Sequence, residues 1–195
     1  MKRLRDRSGT RWAIRAGCSL VMGMTAFARD RICFEAEAAH DIEPPMRVVR
    51  LADPPEDAKP VPGASGDAYV EIPAGSGNPP EVNAGKAVFE IEIPAAGFYT
   101  LWARVYWDDE CSNSLSVQID DGPWFLFGQT ATYKTWHWVR SPPRLAVMNL
   151  EPGPRRITFH NREDGVRIDQ ILLTRNRRLI PVDIEPVTLE LAPGE

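Results

Sequence analysis

The sequence predicts an all-β fold, a sandwich or jelly roll, on three observations. Short segments alternate apolar and polar residues at period two, the signature of half-buried strands. They are punctuated by 18 prolines and 14 glycines in 195 residues. No segment carries an amphipathic pattern of three helical turns. Many short strands with frequent turn signals favour a sandwich or closed jelly roll over any helical architecture.

Taken in order, the first strand holds "FEAEA", residues 34–38. Side chains alternate across a strand, so Phe34, Ala36 and Ala38 are expected on one face and Glu35 and Glu37 on the other. "KAVFEIEI" turns Phe89, Ile91 and Ile93 inward. "GFYTLWARVYW" is long enough for a central strand, with Trp102 expected in the core. "NSLSVQID" alternates Leu115, Val117 and Ile119 against polar residues, and Asp121-Gly122 marks a hairpin before "WFLFG". "TWHWV", "RLAVMNL", "RRITFHN" and "VRIDQILLT" complete the set, and Trp136 and Trp138 share one face of theirs. Residues 52–66 and 73–85 read as Pro/Gly-rich loops, and 176–195 as a linker tail or an added edge strand.

The N-terminus has a different character. A basic stretch is followed by the short apolar run "AGCSLVMGMTAFA" and a small-x-small pattern at Ala26-Phe27-Ala28. This is the pattern of a secretory signal peptide over 1–28, and it implies a secreted protein, extracellular or periplasmic. The run is too short to span a membrane. Arg15 stands where a lipobox before Cys18 would carry an aliphatic residue. Cleavage after Ala28 removes six of the 23 basic residues and one of the 27 acidic ones, leaving a net charge of −9. That balance argues against nucleic acid and anionic membrane as partners. Cys33 and Cys111 remain. An exported chain could pair them, but two cysteines make no disulfide framework, and two free thiols are expected.

No nucleophile elbow, zinc-protease helix, C-x-x-C pair or phosphate loop occurs. His40, His137 and His160 are dispersed without metal-ligand spacing. No catalytic constellation is predicted. A carboxylate is present where a buried strand is expected: Asp169, between Ile168 and Ile171, needs a partner there. If the first and last strands pair, Glu35 and Glu37 come close to it, and calcium suits such an oxygen set.

The ordered set "FEAEA", "GFYTLWARVYW" and "GVRIDQILLT" resembles the family 6 and family 35 carbohydrate-binding modules over residues 29–175, a galactose-binding-like fold. The resemblance implies a jelly-roll β-sandwich of two antiparallel sheets. It also implies a structural calcium held by Glu35, Glu37 and Asp169, with backbone carbonyls from the 46–53 region. Glycans in that family bind at loop ends against aromatic rings. The candidates here are Trp107, closing its strand before the polar loop with Asp108 and Asn113, and Trp136 or Trp138. Asn161, Arg162, Glu163 and Asp164 of the "NREDG" turn join them, with Arg162 suited to a uronate carboxylate. The implied function is a non-catalytic, secreted module that tethers to a polysaccharide or oligosaccharide, with uronic acid and galactose as candidate sugars. A small jelly-roll polysaccharide lyase or glycosidase using Asp108, Asp109 and Glu110 is the enzymatic alternative. A cell-surface interaction module adding its tail as a strand is the third.

Overall fold

A computed structural model describes residues 30–77, 84–142 and 148–191. The segment read as a signal peptide lies outside them, as do parts of the 73–85 loop and of the "RLAVMNL" strand. Twelve strands build two antiparallel sheets, as the sequence predicts. They are β1 (Arg31–Glu35), β2 (Asp41–Glu43), β3 (Arg47–Arg50), β4 (Ala68–Glu71), β5 (Lys86–Ile93), β6 (Gly97–Trp107), β7 (Ser114–Ile119), β8 (Phe125–Gly128), β9 (Trp136–Arg140), β10 (Met148–Leu150), β11 (Gly153–His160) and β12 (Val166–Thr174).

The larger sheet is centred on the pair β6–β12. β9 and β10 share the free side of β6, while β1 and β4 share that of β12, with β3 beyond β4. The smaller sheet runs β2-β5-β11-β7-β8. Period-two patterning produces the core directly. Phe89, Ile91 and Ile93 are buried as expected and meet Tyr99, Leu101, Ala103, Val105 and Trp107 of β6. Rings lock the layers: Phe89 lies 5.4 Å from Phe34 and 5.9 Å from Phe159, centroid to centroid. Such aromatic packing adds to area burial.

Two local features bear on function. β1 ends at Glu35, and Ala36–Ala38 form a 3-10 turn rather than further strand. The extended reading of 34–38 therefore holds only to Glu35; its alanines suit a tight turn as well as a strand. In β12 the pairing with β6 shifts between Ile168 and Gln170, so Asp169 is an extra residue in a β-bulge. Val166 and Ile168 face the core before it; Ile171 and Leu173 do so after it.

Among the described residues the tail beyond Thr174 forms no strand, yet it is fastened as a strap. The Trp138 Nε1–H donates to the Asp183 carbonyl. Gln170 and the backbone of Glu185 exchange two hydrogen bonds of 2.9 Å. The Thr188 and Leu189 N–H groups both donate to the Cys33 carbonyl on the free edge of β1. This is a partial form of the expected edge strand. Cys33 is buried and Cys111 exposed, and neither is in a disulfide. In the folded protein a thiol reagent should therefore modify Cys111 fast and Cys33 only slowly; equal rates would contradict this placement.

Candidate functional site

Three carboxylates meet where β1, β12 and the loop before β4 come together. The β1–β12 register sets Glu35 opposite Gln170, beside the bulged Asp169. Asp169 is 0% exposed. One of its oxygens accepts from the Ser65 N–H at 2.8 Å, and the other from Arg104 at 2.5 Å. Arg104 also donates to the Gly63 carbonyl and lies 5.4 Å from the Trp136 ring centroid. Glu35 Oε1 accepts from the Ser65 hydroxyl at 2.6 Å and from Gln170 Nε2 at 3.2 Å. Glu35 Oε2 and Glu37 Oε2 are buried with no hydrogen-bond partner.

Orphaned buried carboxylate oxygens are costly and call for a proton or a cation. Burial, with Glu35 and Asp169 adding repulsion, pushes Glu37 up to about 7. Burial also lifts Asp169 to about 6, outweighing the opposing pull of Arg104. The site thus holds excess negative charge. Glu35 and Glu37 fit a hard cation through their free Oε2 atoms. Each Asp169 oxygen is engaged by one donor, the Ser65 N–H or Arg104, and keeps a second lone pair. Among the described residues no three Asp, Glu, His or Cys side chains close around one point, so backbone oxygens or water would have to complete a shell. The backbone lying against the acids comes from residues 63–66. Gly66 sits so close that a Cβ there would lie 3.4 Å from Glu37 Oε1, and its φ of +58° favours glycine.

The proposed sugar residues fall into three groups. Trp107 is 0% exposed, packed edge-on to His137, with its Nε1–H donated to Thr130. It is a core residue and not a platform: it shares strand parity with Tyr99 and Leu101. Asn161 is also 0% exposed and donates to the Ser76 and Ala84 carbonyls, holding the 73–85 loop instead of meeting solvent. Asn113 is buried; its N–H donates to Glu163 and its amide to the Thr130 carbonyl.

Trp136 and Trp138 do share one face, but it is the outer face of the larger sheet. Trp136 lies among Tyr69, Tyr106 and Arg104, and its Nε1–H donates to the Pro62 carbonyl. Trp138 is tied to the strap. Trp102 shares this face, half-buried beneath Arg140, and not in the core as expected.

The remaining candidates do assemble at one end of the sandwich. Arg162 is paired with Glu163 and with the Ser114 hydroxyl. Asp164 accepts from the Gly75 N–H. Asp108 takes a 3.0 Å hydrogen bond from Arg167, whose guanidinium lies 5.3 Å from the Tyr106 ring centroid. Asp108 and Arg167 line a pocket of about 280 Å³ with Arg47, Asp57, Lys59 and Glu71. Its wall is a chain of ion pairs: Arg47 bridges Asp57 and Glu71 at 2.8 Å each. Alternating carboxylates and guanidinium groups can accept from and donate to neighbouring hydroxyls on one molecule.

The sequence reading missed Arg104, Gln170, Arg47 and Arg167. For Arg104 and Arg167 the signal was present: each stands at an outward position of a strand otherwise rich in apolar residues.

No protein-family model and no curated protein matches the chain. Solved structures do. A Podospora anserina GH26-CBM35 β-(1,4)-mannanase matches at 21% identity and TM-score 0.55, over 81% of this chain and 30% of that one. An exo-β-1,3-galactanase from Phanerochaete chrysosporium, solved with galactose, matches at 16% and 0.51, over 73% and 29%. The family 35 carbohydrate binding module from Clostridium thermocellum matches at 23% and 0.50, over 73% of this chain and 97% of the module. The chain thus spans under a third of the two enzymes but almost all of the isolated module. Its two antiparallel sheets are those of the family 35 carbohydrate-binding-module fold, the fold its sequence resembles.

Proposed function

We propose that this chain is a secreted, non-catalytic carbohydrate-binding module, stabilised by calcium, that tethers to a polysaccharide. Tethering of this kind acts by raising local concentration. The observation that carries the reading is that 73% of this chain matches almost the whole of an isolated family 35 module. The loop-end pocket around Asp108 and Arg167 supports it, since its polar groups suit sugar hydroxyls. With Trp107 buried, polar contacts dominate that site, and galactose- or uronate-containing glycans are the first to test. Glu35 and Glu37 would hold the calcium through their free Oε2 atoms, with Asp169 adding its field. The ion would neutralise the cluster and cross-link the end of β1 to the segment around Ser65.

A glycan array with and without EDTA, run beside reducing-sugar and unsaturated-uronate assays, tests the reading. Binding without product formation is expected; released product would establish the lyase or glycosidase alternative. For a glycan that binds, Asp108→Ala should weaken affinity about tenfold to a hundredfold. That is the worth of one or two hydrogen bonds to a charged group. Unchanged affinity would move the site away from the loop-end pocket.

A further inference from the structure

Gln170 joins two parts of the molecule that otherwise have little in common. It is 0% exposed. Its Nε2–H groups donate to Glu35 Oε1 at 3.2 Å and to the Glu185 carbonyl at 2.9 Å, while its Oε1 accepts from the Glu185 N–H at 2.9 Å. One fully used amide therefore links the acid cluster and the strap. The strap is fastened to the same strand again: Glu185 pairs with Arg31 at 2.9 Å, and the Cys33 N–H donates to the Thr188 hydroxyl at 2.8 Å. β1 begins at Arg31 and ends at Glu35, so the strap holds its start and middle while the acids hold its end.

We propose that cation binding at the acid cluster and docking of the 177–191 strap are positively coupled through Gln170. This rests on the calcium reading above. The sign follows from which atoms are free. Glu35 Oε2 is unpartnered, so an ion can take it and leave the Oε1 bonds to Ser65 and Gln170 in place. An ion on Oε2 fixes the orientation of that carboxylate, and with it the Oε1 acceptor that holds the Gln170 amide in the rotamer reading Glu185. Without the cation Oε2 has no partner, so the carboxylate can turn away and free the amide. Linkage is reciprocal: the factor by which the cation favours the docked strap is the factor by which the docked strap favours the cation.

Cys33 supplies a local reporter. It is 0% exposed, and the strap is bonded to its N–H and carbonyl. The experiment uses the full chain with Cys18→Ser and Cys111→Ser, so that Cys33 is the one thiol. Calcium binding is read by calorimetry. Strap opening is read by the rate of Cys33 alkylation and by amide hydrogen exchange in 177–191, without denaturant. Calcium should slow both about tenfold, within the usual range of coupling between sites. Gln170→Leu, which keeps the packing and removes all three amide hydrogen bonds, should still bind calcium but lose the protection. Thr188→Val, which touches no acid, should open the strap and weaken calcium by up to the factor by which calcium protects the strap in wild type. That second variant decides the matter if Gln170→Leu fails to fold. Calorimetric binding with unchanged Cys33 and strap rates would overturn the coupling alone. A blank calorimetric trace would overturn the calcium reading and this inference with it.

Discussion

Trp107→Ala is expected to cost about 3–5 kcal/mol of stability, the range for removing a buried tryptophan. In a domain of this size that corresponds to a fall in Tm of about 10–15 °C. The physical reason is threefold. The ring is wholly buried among inward residues of β6. Its removal leaves a cavity in a close-packed interior. It also deprives Thr130 of the indole hydrogen bond and His137 of its edge-on neighbour. Thermal unfolding followed by circular dichroism measures the effect. A variant that keeps its Tm but loses glycan binding would return Trp107 to the role of a sugar platform and displace the structural account.

The second large effect concerns pH and calcium together. Glu37 rises from 4.5 to about 7 and Asp169 from 3.8 to about 6 on folding. The folded chain therefore binds protons more tightly than the unfolded chain between those limits. Stability from these groups is fully present below the ordinary carboxylate range and is lost as pH climbs towards 7. His137 and His160, both lowered by burial, act with the opposite sign. The clean comparison is thus wild type against Glu37→Gln in EDTA. The variant should gain on wild type as pH rises from 5 to 8. On the calcium reading proposed above, the ion would take the place of the proton, so its stabilising effect should grow over the same interval. At a hundredfold excess over Kd it is worth about 2.7 kcal/mol, or roughly 5–10 °C in Tm at pH 8. An EDTA-insensitive melting curve at pH 8, or a calcium effect of equal size at pH 5, would refute this.

The two predictions mark how far the sequence could be read. Strand periodicity placed Phe89, Ile91 and Ile93 correctly because apolar burial acts residue by residue along a regular pleat. It also carried the answer for Trp107, which has the parity of Tyr99 and Leu101. Proximity to a polar loop is a weaker signal than parity within a long strand. The neighbourhood of Glu35 and Asp169 was legible because antiparallel pairing of first and last strands brings those positions together. The hold of Arg104 on Asp169 was not, since it depends on a long side chain reaching across a register shift. The strap was illegible for another reason. Its contacts are an ion pair and scattered hydrogen bonds, which leave no period in the sequence, and most of its apolar residues face solvent, with only Leu189 and Leu191 among the described residues packed against the core. Ile180, Val182 and Ile184 are 74%, 68% and 48% exposed.

The single extra residue in β12 constrains how this chain can change. Loss of Asp169 would close the bulge and leave Val166, Ile168, Ile171 and Leu173 in unbroken alternation towards the core, but it would remove the carboxylate that holds the Ser65 N–H and Arg104. β4 pairs with β12 before the bulge and β1 after it, with β6 along the other side, so closing the bulge would be felt by β1, β4 and β6 at once. Descendants of this sequence must therefore inherit Asp169 together with the Gly63–Gly66 segment and the Arg104 that it holds. A deletion scan scored for soluble protein would show a sharp gap in tolerance there.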